Sequence, residues 1–358
     1  MNNELISVIM SVYNTNETIL RDSIDSICQQ TYKNIEFIIV LDKPTDNSGK
    51  IVRQYQEKDE RIILIENDEN IGLTKSLNKA LTIAKGKYIA RMDADDVAFH
   101  HRLEKQYQYM ESHPDVVVLG TQICTSLDPN HAMDIYPLCD WMPDQDVLKI
   151  RMLFHNVGVP HPTAMIRHDV LIQNGIIYDE RIKKSQDYKL WVDLMPYGAI
   201  SVLNEMLLLY RVHAGQISAD RKNQHEYAHM VALEQAAKLL GSMTEEDKQF
   251  HCCISNVYIY NNDIKGYARY IRKLIKANRE KKIYDQRKFD LEISYAWIQK
   301  AFRRVVLQHK FDMIFNSMSL GLFRPDFLPY IKENKQIKRM RNEALAAADF
   351  SDCIMRLN

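Results

Sequence analysis

The chain has 358 residues, of which 46% are hydrophobic and 26% are charged, a composition typical of a soluble globular protein with room for two domains. Its 47 basic and 47 acidic residues cancel, which argues against nucleic acid as a partner. The six cysteines include no C-x-x-C pair and the first residues lack the pattern of a signal peptide, so the sequence predicts a cytoplasmic location.

The first hundred residues alternate between short β-branched runs and amphipathic helical patterns. Strands are predicted at 6–10, 37–41, 62–65 and 88–90, and helices at 19–27, 48–56, 73–84 and 97–110. Strands that alternate with helices form a parallel sheet covered on both faces. The sequence therefore predicts an α/β fold with a mostly parallel sheet, in which ligands bind beyond the carboxyl ends of the strands.

The composition changes near residue 220. Residues 116–218 mix strands with proline-containing stretches, whereas long helical patterns begin at about residue 224 and contain no proline before Pro325. We therefore predict a domain of residues 1–220 and a helical C-terminal region of residues 221–358, which would contact a substrate, a membrane or another subunit.

A basic stretch lies within the helical region. Residues 265–310 contain 14 Lys or Arg against 4 Asp or Glu. One helical face is apolar, at Ile264, Tyr267, Ala268, Ile271, Leu274 and Ile275. The basic side predicts either a solvated helix surface or contact with anionic lipid.

Acidic side chains follow the fourth predicted strand. Alternate carboxylates in an extended segment point the same way, so Asp93 and Asp95 present two hard oxygen ligands to one Mg²⁺ or Mn²⁺. The alternative is a solvated acidic turn, or Asp96 as the N-cap of a helix at 97–110.

Polar groups also follow the second and third predicted strands. Asp42 and Asp46 flank a turn at Pro44, where carboxylates can accept hydrogen bonds from a nucleobase or a ribose. Taken alone, the pattern favours a proline turn with an Asx cap. Asn70 similarly fits a simple turn before a helix.

Further candidates lie in the second half of the predicted domain. Asp187 opens a helical stretch, where it is either a helix cap or a base that deprotonates an acceptor hydroxyl. Arg211 provides a cation for phosphate and His213 an imidazole for a metal or phosphate. His161 belongs to a polar kink whose simplest interpretation is a rigid loop.

Taken together, residues 5–220 resemble the family 2 inverting glycosyltransferases, which have the A-type glycosyltransferase fold. The most specific matches to the family's motifs are residues 70–73 (NIGL) and 86–96 (GKYIARMDADD). The family's Asp-Asp-Gly-Ser-Thr-Asp is replaced by LDKPTD at 41–46, and Gln186 stands where the family has the Glu of a Glu-Asp pair.

The resemblance implies a role for individual residues. Asp42 would contact uracil, Asp93 would hold the ribose, and Asp187 would be the catalytic base. Asp95 and His213 would be metal ligands for Mn²⁺ or Mg²⁺. The other residues expected to bind the nucleotide sugar are Ser11, Tyr13, Asn70, Lys75, Arg91 and Arg211.

The resemblance also implies a reaction. The chain would be a metal-dependent inverting enzyme that moves a hexose or N-acetylhexosamine from a UDP-sugar to a sugar hydroxyl, forming a β-linkage. Its acceptor would be a bacterial glycan or lipid-linked glycan, such as a precursor of lipopolysaccharide, lipooligosaccharide or capsule. Such an enzyme would work in the cytoplasm, in peripheral contact with the inner face of the membrane.

Two other functions compete with this one. A nucleotidyltransferase normally has a Gly-rich basic loop after its first strand, and residues 12–16 (VYNTN) contain neither glycine nor a basic residue. A catalytically silent nucleotide-sugar-binding partner of a polysaccharide assembly complex remains open, because Gln186 and the Lys43-Pro44 pair depart from the family pattern.

Overall fold

The computed structural model of the protein describes residues 3–126, 144–212, 221–255 and 263–308, with six further residues between 329 and 339. These residues form two compact units. One holds residues 3–126 and 158–212, and the other holds residues 144–157 and the described residues from 221 onward. The second unit thus includes residues 144–157, which precede the boundary near residue 220; that boundary stays a prediction.

The first unit begins with the expected alternation of strands and helices. Its strands are β1 (Ile6–Val12), β2 (Ile35–Leu41), β3 (Ile62–Glu66) and β4 (Tyr88–Arg91), and its first helices are α1 (Glu17–Cys28), α2 (Ser48–Gln56) and α3 (Leu73–Ile83). β1 and β2 are almost entirely buried along their length, as expected of strands covered on both faces. The predicted α/β fold is confirmed.

The rest of the first unit adds shorter elements to the same sheet. They are β5 (Val97–Ala98), α4 (Arg102–Ser112), β6 (Val116–Ser126), β7 (Met165–Arg167), α6 (His168–Asn174), α7 (Gln186–Leu194) and β8 (Ala199–Arg211). The strand order is β3-β2-β1-β4-β7-β6-β8-β5. Pairing is parallel from β3 to β4, whereas β7 is antiparallel to both its neighbours and β5 is antiparallel to β8. β6 and β8 pair in parallel. The sheet is therefore mixed, and its first four strands form a parallel half.

The helix predicted at 97–110 is wrong at its start. Val97 and Ala98 are extended and pair with Leu209 and Leu208 of β8, and α4 begins only at Arg102. Asp96 is accordingly not a helix cap. Apolar periodicity in a short segment does not distinguish a buried strand from a helix, and here a strand more than a hundred residues later in the chain decides the outcome.

The second unit is helical. Its helices are α5 (Gln145–Arg151), α8 (Arg221–Leu240), α9 (Glu245–Ser255), α10 (Ile264–Lys281) and α11 (Gln286–Gln308). Its core combines aliphatic side chains with several aromatic ones, among them Phe250, Tyr270, Phe289 and Trp297. Tyr267, Ala268, Ile271 and Leu274 are buried on α10 while its basic residues are exposed, which confirms the predicted amphipathic face. In the part of the chain that the structure describes, no helix is both long and apolar enough to cross a bilayer.

Candidate active site

The parallel strands end together at one edge of the sheet. Val12 of β1 pairs with Leu41 of β2, and Leu41 pairs with Glu66 of β3, so three strands end in register. β4 ends at Arg91, opposite Ile9 of β1. The polar loops at 13–16, 42–47, 67–72 and 92–96 all leave the sheet at this edge, which is where ligands of such sheets bind.

Three carboxylates gather in the loop after β4. Oxygen atoms of Asp93, Asp95 and Asp96 all lie within 4.8 Å of one another; the first two residues are half-buried and the third is buried. Among the described residues, no other group of His, Cys, Asp and Glu side chains is arranged to hold a metal ion. One oxygen of Asp96, Oδ2, is buried without a hydrogen-bond partner. Hard oxygen donors at this spacing, with an oxygen left unsatisfied, fit Mg²⁺ or Mn²⁺.

The electrostatics of this cluster reflect crowded negative charge. Burial raises the pKa of the Asp93 carboxyl above its usual value, while the charge of Arg91 opposes that rise and the charges of Asp95 and Asp187 add to it. Burial, followed by the charges of Asp93 and Asp95, raises the pKa of Asp96 well above its usual range. A divalent cation would relieve this repulsion, so the cluster is arranged to favour a positively charged ligand.

Two buried arginines lie behind the carboxylates. Arg91 forms an ion pair with Asp93. Arg102, at the start of α4, donates from Nη2 to the carbonyl oxygen of Arg91 at 2.7 Å and from Nε to Gln106 at 3.1 Å. Burial and the charge of Arg91 lower the pKa of Arg102 to about 9. Arg102 is not among the residues predicted from the sequence, although a charged residue on the apolar face of a predicted helix could have indicated it.

Asp42 lies inside the sheet edge and is 2% exposed. Its carboxylate accepts hydrogen bonds from the backbone N–H groups of Ile71 and Gly72, both at 2.8 Å, and from Nδ2 of Asn67 at 2.9 Å. Gly72 has φ +85° and ψ 162°, a conformation that side chains with a Cβ rarely adopt. Asp42 therefore holds the 67–72 loop, and contact with uracil stays a prediction for it.

Asp187 lies in the first turn of α7, where the helix dipole favours a carboxylate. The N-cap position belongs to Ser185, so Asp187 is not the helix cap. Its side chain is half-buried, and its charge contributes to the pKa shifts of both Asp93 and Tyr178. The predicted base and the acidic cluster are therefore brought within electrostatic range of each other.

Arg211 ends β8 and is 5% exposed. Its backbone N–H donates to Oδ1 of Asp96 at 3.1 Å, and its Nη2 donates to Asp22 on α1 at 2.7 Å. Its Nη1 contacts the carbonyl oxygens of Ile19 and Asp95. The structure thus ties Arg211 to the loop that carries the acidic cluster, and its predicted contact with phosphate stays a prediction.

The remaining predicted residues lie around the same edge or outside the described part of the chain. Ser11 is half-buried near the end of β1, and Tyr13 is exposed directly after it. Asn70 and Lys75 are exposed, the first in the loop before α3 and the second in the first turn of α3. His213 lies outside the described residues.

A buried aromatic group borders the cluster. Nε2 of His161 lies 2.8 Å from the hydroxyl oxygen of Tyr178, and the His161 ring packs edge-on against Trp191 of α7. Burial, with the nearby charge of Arg91, lowers the pKa of His161 well below its usual value, so its imidazole is neutral. Tyr178 is not among the residues predicted from the sequence, because nothing in its local sequence marks it as near Asp93 and Asp187.

Comparison with known proteins gives a consistent result. The sequence model of Glycosyl transferase family 2 matches residues 7–175. A glycosyltransferase of Methanocaldococcus jannaschii is 35% identical over 264 residues, which are 73% of this chain and 85% of the relative. The UDP-Glc:alpha-D-GlcNAc-diphosphoundecaprenol beta-1,3-glucosyltransferase WfaP of Escherichia coli is 31% identical over 228 residues, 61% of this chain and 81% of the relative.

Solved structures agree at the level of the fold. TarS of S. aureus, residues 1–349 in complex with UDP-GlcNAc, has a TM-score of 0.54 and 18% sequence identity, with 85% of this chain and 92% of that chain covered. This neighbour and the order of strands and helices identify the A-type glycosyltransferase fold. Because similarity to the M. jannaschii glycosyltransferase extends over most of both chains and the family's sequence model covers the parallel half of the sheet with its acidic loop, this chain belongs to glycosyltransferase family 2.

Proposed function

We propose that this glycosyltransferase is an inverting enzyme that transfers a hexose or N-acetylhexosamine from a UDP-sugar to a sugar hydroxyl, forming a β-linkage. The acceptor we propose is a glycan or lipid-linked glycan of bacterial surface-polysaccharide synthesis. The observation that carries the proposal is that two kinds of carboxylate lie near each other. The carboxylates of the 93–96 loop form a cluster suited to a cation, and the carboxylate of Asp187 stands apart from that cluster but within its electrostatic range. The name of the relative WfaP, a UDP-glucose-dependent β-1,3-glucosyltransferase with a lipid-diphosphate-linked acceptor, supports the donor and acceptor classes.

In this mechanism the residues of the 93–96 loop hold the donor. Asp95, with Asp96 beside it, would bind Mn²⁺ or Mg²⁺, which supplies positive charge to offset the negative charge that builds on the leaving diphosphate. Asp93 would hold the ribose of the donor. Arg91 keeps Asp93 oriented through their ion pair, and Arg102 holds the backbone at Arg91 by donating to its carbonyl oxygen.

Asp187 acts on the acceptor. Its carboxylate accepts the proton of the acceptor hydroxyl as that oxygen attacks the anomeric carbon from the face opposite the leaving group. The bond between that carbon and the diphosphate oxygen breaks, and its electron pair leaves with UDP. A single displacement inverts the configuration, so an α-linked donor gives a β-linked product.

The direct test measures UDP release from a panel of UDP-hexoses and UDP-N-acetylhexosamines. Each donor is incubated with and without glycan acceptors, in Mn²⁺, Mg²⁺ or EDTA. We expect UDP release that requires both acceptor and cation, and an NMR coupling constant of a β-anomer in the product. Tight binding of donors without turnover on any acceptor would instead favour the silent binding partner.

We also propose that the enzyme works in the cytoplasm at the inner face of the membrane, where a lipid-linked acceptor would be found. The exposed basic side of α10, which includes Lys265 and Arg272, supports this location. The charges of other basic residues of α10 are partly neutralised by acidic side chains, since Lys273 lies 2.5 Å from Asp247 and Arg279 lies 3.7 Å from Asp290. The proposed attraction to anionic lipid is therefore modest.

A further inference from the structure

Asn78 of α3 joins two segments that are 100 residues apart in the chain. Its Nδ2 donates to the carbonyl oxygen of Tyr178 at 2.9 Å, and its Oδ1 accepts from the N–H of Tyr178 at 2.9 Å. Nδ2 also lies 3.3 Å from Oε1 of Glu180. The Asn78 side chain thus pairs with a backbone peptide as a neighbouring β-strand would, and it is 8% exposed.

A second contact fixes the same segment to the same helix. Oγ1 of Thr74, one turn before Asn78 on α3, donates to the carbonyl oxygen of Ile182 at 3.2 Å. Residues 178–182 form neither helix nor strand, so their backbone groups depend on side-chain partners of this kind. In a buried setting, loss of such a partner leaves a polar group unsatisfied.

The anchored segment leads directly to Asp187. Three residues separate Ile182 from Gln186, where α7 begins, and the link includes Ser185 in the left-handed conformation with φ +58°. Tyr178 itself lies close enough to Asp187 and Asp93 that both charges act on its hydroxyl. Its ring contacts His161, which in turn packs against α7.

The N-terminal end of α3 also belongs to the donor side of the site. The helix begins directly after Gly72, whose N–H is held by Asp42, and it carries Lys75 in its first turn. One rigid helix therefore contacts both the loop expected to face the nucleotide and the segment that carries the expected base.

We propose that Asn78 is a positioning residue that sets the location of Asp187 relative to the donor through the 178–182 segment. This inference rests on the proposed role of Asp187 as the base. A displacement of about 1 Å in a reacting group can lower a rate by about 10²-fold, so a clamp of this kind acts on turnover more than on donor binding.

The test is a double-mutant cycle with Asn78→Asp and Asp187→Asn. Asn78→Asp keeps the acceptor for the Tyr178 N–H but replaces the donor with a carboxylate facing the Tyr178 carbonyl and Glu180. We expect kcat to fall by about 10- to 100-fold while the Kd for UDP changes by less than about twofold. In the Asp187→Asn background the same substitution should lower the remaining turnover by less than about threefold, because the group it positions is already absent.

Two further variants separate positioning from general destabilisation. Thr74→Val removes the hydrogen bond to Ile182 with little change in volume. If Asn78→Asp does not fold, Thr74→Val is the test variant in its place, and it should show the same loss of kcat with retained UDP binding. Ile24→Val, on the buried face of α1, lowers stability by removing a core methylene group and should leave kcat unchanged. Hydrogen exchange of the Tyr178 amide should accelerate in Asn78→Asp and not in Ile24→Val.

The outcomes are distinct. If Asn78→Asp lowered kcat equally in the unmodified protein and in Asp187→Asn, the proposal that Asn78 acts through Asp187 would be overturned. Faster hydrogen exchange of the Tyr178 amide with an unchanged kcat would overturn it as well. A near-normal turnover of Asp187→Asn alone would instead contradict the proposed function of Asp187, independently of what the exchange experiment shows for Asn78.

Discussion

At the scale of single residues, the candidate site concentrates charge where the protein is least able to solvate it. Asp96 and the two arginines Arg91 and Arg102 are buried at the end of β4, and like-charged carboxylates lie beside them. Buried charges of this kind usually lower stability unless each is paired. Here the arginines balance part of the negative charge and leave the rest for a cation, which is consistent with a functional rather than a stabilising arrangement.

Asp95 is the residue whose loss should reveal the cation most directly. Asp95→Ala removes one hard oxygen ligand, so we expect transfer to fall below detection and the Mn²⁺-dependent part of UDP-sugar binding to disappear. Isothermal titration of UDP-sugar with and without Mn²⁺ measures this. Glu60→Ala removes an exposed carboxylate before β3, at the opposite edge of the sheet, and is the matched control. Full activity of Asp95→Ala, or of the unmodified enzyme in EDTA, would rule out the metal assignment.

Asp187 can be tested with a substitution that preserves its shape. Asp187→Asn keeps the hydrogen-bonding ability in the first turn of α7 but removes the proton acceptor, so turnover should fall by a factor of about 10² to 10⁴ while donor binding persists. Asp193→Asn removes a carboxylate from the same helix, where it pairs with Lys189 at 2.6 Å, and should leave turnover within about twofold. If Asp187→Asn turned over normally with unchanged stability, Asp187 would be structural and the base would be another residue.

At the scale of elements, polar side chains inside each unit bind elements together by specific hydrogen bonds. In the first unit, Asp42 at the end of β2 holds the 67–72 loop, and Asn78 attaches the 178–182 segment to α3. In the second unit, His251 of α9 joins α5 and α10: Nε2 donates to the carbonyl oxygen of Leu153, just after α5, at 3.0 Å, and Nδ1 accepts from the hydroxyl of Tyr270 at 2.8 Å. Each bond uses a buried polar group that has no access to water, so it specifies which surfaces meet.

His251 makes the stability of the second unit dependent on pH. Burial lowers its pKa from 6.5 to about 4. Between these values the unfolded chain binds a proton that the folded chain does not, so stability is complete above pH 6.5 and falls as the pH is lowered toward 4. A shift of this size corresponds to up to about 3 kcal/mol. Urea unfolding at several pH values should show a shallower pH dependence for His251→Gln than for the unmodified protein.

Ile271→Val, in the buried core of the same unit, provides the control for this experiment. It removes a methylene group and no titratable group, so it should lower stability without changing the pH dependence of unfolding. If the free energy of unfolding changed equally with pH between 6.5 and 4 in His251→Gln and in the unmodified protein, His251 would not be the source of the pH dependence.

At the scale of the whole molecule, the chain is electrically neutral but unevenly charged. The exposed face of α10 carries Lys265, Arg269, Arg272, Lys273 and Lys276. Ion pairs with acidic neighbours reduce its field, as between Arg269 and Glu246 at 3.4 Å. Any binding to an anionic surface should therefore be weak and sensitive to salt.

Co-sedimentation with vesicles that contain anionic lipid tests the membrane proposal. We expect binding at low ionic strength that decreases as salt is added, and a loss of binding when Lys265 and Arg272 are both replaced by Glu. Replacing the exposed Lys50 and Lys58 of the first unit by Glu changes the net charge equally and should have little effect. Absence of binding at low salt, or equal loss in both double variants, would show that the basic side of α10 is only a solvated helix surface.

The sequence by itself determined the parallel half of the sheet and the gathering of acids at its edge. β-branched runs and amphipathic spacing report which residues are buried, and parallel strands necessarily end on the same side. Asp93 and Asp95 could therefore be grouped with each other from their spacing and their place directly after a strand.

Only the tertiary structure decided which distant segments meet. Val97 and Ala98 are a strand because β8 pairs with them, Asp42 holds a loop that begins 25 residues later, and Asn78 pairs with Tyr178 across 100 residues. Residues 144–157 likewise join the helical unit rather than the sheet that surrounds them in the sequence. Periodicity shows that a side chain is buried but not what it is buried against, because the partner is selected by packing and hydrogen bonding between segments far apart in the chain.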